Sequence, residues 1–354
     1  MSVLYSSLKF LRFGDRLQAL EKGTVAAPVH IRIKPTNRCN HDCWYCCYKV
    51  SHLNLGEKMV EEDAIPEDKM HEIADDLVAM GVKAVTFTGG GEPLLYKPLP
   101  EIITRLAEGG VGVAAITNGS NLKGRVAQAL ASHATWVRIS VDGWDDESYR
   151  KARGIQGKPF TDLLDNMTAF AKQQSDCVLG VSFIVTRENH PHLLEACTQF
   201  KEAGASHVKL SGVVVANSGG ENNRYHQEIA PAVQAEIQRA QALTDDRFQL
   251  INHVHELEER FDKHYTRCPF LQFLTVIGAD QNVYTCQDKA YTTSGLLGSI
   301  RERSFKDYWF SEENRQRLLT FDPSQSCPHH CVSHTKNLAI LDYLAIDPDH
   351  GVFV

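Results

Sequence analysis

From about residue 28 the chain alternates two patterns of apolar and polar positions. Short β-branched or apolar runs are followed by longer stretches with helical spacing. The runs are VHIRIKP (29–35), AVTFTGG (84–90), VGVAAITNG (111–119), WVRISVDG (136–143), VLGVSFIVT (178–186) and HVKLSGVVV (207–215). The stretches between and after them are 68–81, 99–110, 124–133, 160–174, 190–204 and 230–243. Near-continuous apolar strands joined by amphipathic helices predict an α/β fold with a parallel sheet and helices outside it. Six such units make an open partial barrel or a doubly wound sheet, and periodicity does not choose. In either arrangement chemistry gathers at the carboxyl ends of the strands. The polar stretches TGGGEP, TNG and SVDG stand at those ends.

Beyond residue 247 the pattern changes. FLTVIGADQNVYTCQ (273–287) reads as a hairpin turning at its Gly-Ala-Asp-Gln-Asn segment. The stretch 304–321 reads as one helix, and 337–346 as a short apolar helix after CPHHC. The expected organisation is an N-terminal helical extension (1–27), a strand–helix body (28–247) and a small second domain (248–354).

Charge and length add exclusions. The 37 Lys+Arg against 44 Asp+Glu leave a net charge of −7, without the basic footprint of a nucleic-acid-binding protein. No run approaches the roughly 18 apolar residues of a membrane span. The first twenty residues lack the apolar core and cleavage site of a secretory signal, so a cytoplasmic location is expected. Ten cysteines then stand out among the 354 residues. In a reducing compartment they point to metal binding or catalysis before disulfides. Cys39, Cys43, Cys46 and Cys47 cluster early, and Cys268, Cys286, Cys327 and Cys331 cluster late. Cys177 and Cys197 stand alone and are expected to be buried packing.

The early group begins where the first strand ends. Its C-x3-C-x2-C spacing places three thiolates on one compact loop. Three thiolates hold three irons of a four-iron, four-sulfur cluster and leave the fourth open to a small molecule. A zinc site more often shows C-x2-C pairs and four protein ligands. With its aromatic Tyr45 before Cys46, this segment resembles the signature of the radical S-adenosylmethionine (radical SAM) enzymes, over roughly residues 28–215. The resemblance implies a partial (β/α)6 TIM-like barrel. It also implies a 4Fe-4S cluster on Cys39, Cys43 and Cys46, with S-adenosylmethionine (SAM) chelated by the open iron and Tyr45 beside the adenine. Cys47 is left as a spare thiol.

Further positions follow from the same resemblance. Gly90, Gly91 and Glu92 look like the motif that holds the methionyl amine of SAM; alone they would read as a tight turn starting a helix. Asn118, in Thr117-Asn118-Gly119, has an ordinary turn as its bland reading. Ser140 and Asp142 share one strand face by their spacing, and resemblance gives them the SAM ribose or carboxylate. Arg153 is expected in a loop, ordering it, reaching the SAM carboxylate or simply solvated.

The late cysteines complete a tetrahedral zinc or cap every iron of a cluster, and spacing does not decide. Resemblance to the twitch and SPASM class of radical SAM enzymes favours an auxiliary 4Fe-4S cluster on Cys268, Cys286, Cys327 and Cys331. The start C-x9-G-x7-C, through Gly278, departs from that class's usual C-x9–15-G-x4-C, and His329, His330 or His334 could replace a ligand. The expected activity is reductive cleavage of SAM to a 5′-deoxyadenosyl radical. That radical takes hydrogen from a small polyol-type substrate, such as a sugar, nucleotide sugar or aminocyclitol, which is oxidised or epimerised. The electron is expected from reduced flavodoxin or a ferredoxin-type donor. A peptide maturase is the alternative enzyme, and a zinc-binding scaffold without catalysis is the rival of another class. Only about 28 residues precede the first strand, which favours the small molecule over a leader-bound peptide.

Overall fold

In the computed structural model, residues 4–254, 260–347 and 349–353 are described. Ten strands form one sheet: β1 (His30–Ile33), β2 (Ala84–Phe87), β3 (Gly112–Thr117), β4 (Ala134–Ser140), β5 (Val178–Val185), β6 (His207–Gly212), β7 (Gln249–His253), β8 (Leu274–Ile277), β9 (Asn282–Tyr284) and β10 (Leu296–Ser299). Their order is β10-β9-β8-β1-β2-β3-β4-β5-β6-β7. β1 through β7 pair in parallel, with helices in the connections, and β8–β9–β10 are antiparallel among themselves. This is the expected partial barrel with a C-terminal hairpin region. The parallel run extends one strand further than the pattern predicts, because QLINH is short and ends in polar residues. β8 lies parallel to the free side of β1, so the segment after residue 247 shares the barrel's own sheet.

Alternation along the strands decides what faces where. Ile31, Ile33, Val137, Ile139, Val181, Phe183, Val208 and Leu210 are buried. They form one core with helix residues such as Ile73, Leu77, Ile103, Leu106, Leu130 and Phe200. The intervening positions are polar or charged, and most keep partial exposure. They line the lumen.

Two helical expectations change. The stretch 304–321 is two helices, Phe305–Trp309 and Glu312–Thr320, because the Ser311 side chain caps a new start by accepting from the Asn314 amide. The chain at 146–153, expected as loop, is the helix Asp146–Arg153. A capping box between Asp145 and Ser148 starts it, and Gly154, at φ 62°, ends it in the left-handed conformation.

Candidate functional site

The loop bearing Cys39, Cys43 and Cys46 stands over the carboxyl end of β1 and is fastened on three sides. On the first side is the turn after β2. The Gly91 amide donates to the Thr36 carbonyl at 3.1 Å and the Glu92 amide to the Arg38 carbonyl at 2.9 Å. A Cβ on Gly90 would collide with the Asn37 side chain, and one on Gly91 with the Arg38 carbonyl. These glycines therefore admit the chain's own segment 36–38, just ahead of Cys39.

On the second side is the β3 loop. The buried Glu92 carboxylate accepts from Thr117 Oγ1 at 2.5 Å, the Asn118 amide at 2.7 Å and the Leu94 amide at 3.0 Å. Burial still holds its carboxyl above the usual range. Asn118 Nδ2 donates to Asn40 Oδ1 at 2.9 Å, and Asn40 Nδ2 to Ser120 Oγ at 2.9 Å. Glu92 and Asn118, expected at the ligand, thus also tie the turn after β2, the turn after β3 and the cysteine loop together.

On the third side is the helix that ends at Arg153. That side chain is buried, which removes the solvated reading from the three the sequence left open and leaves an ordering role in place. Its Nη2 donates to Asp142 Oδ2 at 2.6 Å and to the Ser140 carbonyl at 2.5 Å, and its Nη1 lies 3.4 Å from Cys43 Sγ. Asp142 accepts in addition from Tyr45 Oη and, at 2.6 Å, from the Ile184 amide. The Arg153–Asp142 pair has side-chain exposures of only 5% and 2%. The Asp42 amide donates to the Arg153 carbonyl at 2.8 Å, which seats the loop on the helix end. Tyr45, Ser140, Asp142 and Cys43 therefore meet at one buried knot. Beside it opens a cleft of about 330 Å³, lined by Trp44, Tyr45, Asp142, Trp144, Ser148 and Asn189. That volume is within the usual span for sites that enclose a nucleoside-sized molecule.

All three thiols are free and half-buried. Burial pushes the Cys39 thiol up to about 11 and raises Cys46 as well. Cys47 points the other way. Its thiol is pushed up to about 12 by burial, with the Lys34 ammonium acting against that. Lys34 donates at 2.7 Å to Tyr48 Oη and also to the Gly89 carbonyl, and Tyr48 donates to the Gln287 carbonyl at 3.0 Å. Two hydrogen bonds thus join the end of β1 to the neighbour of Cys286.

The four late cysteines line one small pocket of about 20 Å³, with Tyr265, His329 and Asn337 among the other lining residues. The Cys331 amide donates to the Arg260 carbonyl at 3.0 Å, and Asn337 Nδ2 lies 3.3 Å from Cys268 Sγ. Among the described residues, the group of three donors that converges within 4.8 Å is Cys286, Asp288 and His329, not three of the cysteines. Sulfur, oxygen and nitrogen donors this close together could share one metal ion. Cys177 and Cys197 are buried in the core, Cys197 inside the helix Leu193–Glu202.

A partial parallel barrel with a braced C-x3-C-x2-C loop over its first strand, and a nucleoside-sized cleft beside that loop, defines an enzyme of the cluster-and-SAM radical class. Residues 33–211 match the Radical SAM superfamily, and the chain belongs to that superfamily. Its curated relatives include an S-adenosylmethionine-dependent nucleotide dehydratase of Lacinutrix mariniflava, 32% identical over 43% of this chain and 32% of that protein. A probable GTP 3′,8-cyclase of Archaeoglobus fulgidus is 35% identical over 35% of this chain and 39% of that protein. The chain thus spans between about a third and two fifths of the length of these two relatives. The PqqA peptide cyclase of Granulibacter bethesdensis is 23% identical over 86% of this chain and 80% of its own length. Among solved structures, Streptococcus suis SuiB bound to precursor peptide SuiA superposes with a TM-score of 0.62 at 15% identity, over 92% of this chain and 76% of that one. Native anSMEcpe with bound AdoMet gives 0.58 at 15%, over 90% and 98%. Among the described residues no helix is long and apolar enough to cross a membrane.

Proposed function

We propose that this enzyme generates a 5′-deoxyadenosyl radical and uses it to abstract hydrogen from a small polyol-type substrate, which is oxidised or epimerised. The observation that carries the reading is the knot of Cys43, Arg153, Asp142 and Tyr45 beside the 330 Å³ cleft. It brings a cluster ligand, an aromatic wall and a nucleoside-sized space together. A four-iron cluster on Cys39, Cys43 and Cys46, with SAM at its open iron, supplies the one-electron chemistry that no acid–base pair could perform.

The chain's own residues bind, orient and shield. Tyr45 and Trp44 offer ring faces to the adenine, and Asp142 and Arg153 fix the Tyr45 ring. Glu92 and Asn118 hold the turns after β2 and β3 against the cysteine loop. Gly90 and Gly91 present the backbone of the first of those turns to the methionyl end. Ser140, at the end of β4, stands on the ribose side.

Cys268, Cys286, Cys327 and Cys331 would hold an auxiliary 4Fe-4S cluster that exchanges an electron with the substrate. A reduced flavodoxin or ferredoxin-type protein supplies the first electron. The peptide reading has one observation in its favour, the likeness to the PqqA peptide cyclase along most of the chain.

The test is anaerobic reconstitution followed by assay of 5′-deoxyadenosine from SAM under reduction. The wild-type chain should form it, and a chain with Cys39, Cys43 and Cys46 all changed to Ala should not. Cleavage that survives the triple change refutes the assignment.

A further inference from the structure

The lumen of the barrel carries an excess of positive charge that the preceding chemistry does not use. Arg32 on β1, Arg138 on β4 and Lys209 on β6 all occupy inward positions. Their strand neighbours Ile31, Ile33, Val137, Ile139, Val208 and Leu210 are buried against the helices, so alternation sends the cations to the other face. The register agrees: Arg138 stands opposite Gly180 and Gly180 opposite His207, while Lys209 stands opposite Ser182 and Ser182 opposite Ser140.

None of the three has a carboxylate within ion-pair reach among the described residues. The Nε atoms of Arg32 and Arg138 are buried without a hydrogen-bond partner. Arg138 Nη1 donates to Tyr5 Oη at 3.1 Å, and Lys209 Nζ stands 5.5 Å from the centre of the Tyr5 ring. The largest charges acting on Lys209 are all positive: Arg138, Arg32, Lys336 and Arg260. All three keep partial exposure, and like charges crowded in the lumen without protein counter-ions repel one another.

Lys336 and Arg260 act on Cys331 or are acted on by it, so they balance the late cysteine centre. Arg32 feels Asp288 and Cys286 on one side and Arg138 on the other. Arg138 and Lys209 lie beyond that centre's charges. Their counter-charge has to arrive with a ligand.

We propose that Arg32, Arg138 and Lys209 form the phosphate-binding floor of the substrate site, and that the substrate is a phosphorylated small molecule carrying at least two negative charges. This deepens the proposed function and rests on it. Guanidinium forks match phosphate oxygens two at a time, and an ammonium adds a point charge. Lys34 and Ser140 lie two residues beyond Arg32 and Arg138, about 6–7 Å further along their strands toward the cysteine loop, and Lys209 is in register with Ser140. A phosphate held between Arg138 and Lys209 leaves the sugar carbons of the same molecule on the cysteine-loop side.

The experiment is calorimetric titration of the cluster-loaded full chain, under anaerobic conditions, with inorganic tripolyphosphate. Binding is expected, weakening steeply as salt is raised. Arg138→Gln and Lys209→Gln should each weaken it at least about tenfold. Arg138→Lys should recover part of the loss, and Arg125→Gln, on the outer surface, should change nothing. Circular dichroism identifies a variant that has merely unfolded, and the salt dependence of the wild type then stands as the readout. Cytidine triphosphate and fructose 1,6-bisphosphate as further ligands show whether a nucleotide or a sugar phosphate is preferred. Absence of tripolyphosphate binding by the wild type, unchanged affinity in both Gln variants, or equal binding of a tri-glutamate peptide overturns the proposal. SAM cleavage by the wild type is measured separately. Its loss with intact phosphate binding would count against the proposed function and leave this site standing.

Discussion

Arg153→Met is the most informative single change. It removes the cation from a pair that is almost wholly buried, together with the hydrogen bond to the Ser140 carbonyl and the contact with Cys43 Sγ. Breaking one side of a buried pair typically costs about 3–5 kcal/mol, because the remaining charge is stranded. Asp142 keeps two donors, Tyr45 Oη and the Ile184 amide, so the lower end, about 3 kcal/mol, is expected. That is a large share of an ordinary domain stability of about 5–15 kcal/mol. Urea unfolding of the cluster-free chain, followed by circular dichroism, gives the number. The double variant Arg153→Met with Asp142→Asn removes both charges and should recover at least about half of the loss. After reconstitution, the single variant should also hold less iron on the first loop, since Cys43 has lost its brace. A loss below about 1 kcal/mol, with normal iron content, refutes the reading of the knot.

Gly91→Ala places a Cβ against the Arg38 carbonyl and should displace the segment leading to Cys39. Iron and sulfide analysis should find the first centre poorly filled, and full occupancy would contradict the close-approach argument. Cys268→Ala with Cys286→Ala should lower iron from about eight to about four per chain while 5′-deoxyadenosine still forms; iron that stays at the wild-type level refutes the second centre. Tripolyphosphate affinity should fall as pH rises through about 8, where Lys209 gives up its charge. The arginines keep theirs, and His207, held neutral by burial, adds no positive charge in that window. An affinity that is flat there removes Lys209 from the site. Cys197→Ala should leave turnover unchanged, and a loss of turnover without unfolding would make that thiol a participant.

Much of this was legible in the chain. The six strand–helix units stand where the apolar periodicity places them, because buried parallel strands and amphipathic helices leave strong local marks. The cysteine spacing announced the first loop. The glycines of TGGGEP were legible as a close approach, but not what approaches. Only the packing shows that Asn37 and Arg38 fill that space. The helix that carries Arg153 was not legible because DESYRKAR is polar on nearly every side and has no apolar stripe. Its one usable sign was Asp145 three residues ahead of Ser148, a capping box with serine in place of the more usual glutamate. The lumen cations had a clearer mark that passed unused. HIRI, VRIS and HVKL each set one basic residue between apolar ones, and in a barrel strand that residue has only the interior to face. Which cations gather there depends on register across three strands and could not be read from any one of them. Lys34 was invisible for the same reason, since Tyr48 and Gln287 come from distant parts of the chain.

The pairing of β8 with β1 bears on how this protein can be cut. An exposed strand edge is a template for joining other chains. Here the outer side of His30–Ile33 is covered in parallel by Leu274–Ile277, which come from the far end of the sequence. A fragment ending near residue 247 would keep every strand from β1 to β6 and yet bare the backbone of β1 beside the cysteine loop. Such a truncation yields a sticky flank that draws in neighbours, and the C-terminal segment is as much a selvedge for the barrel as a holder of cysteines.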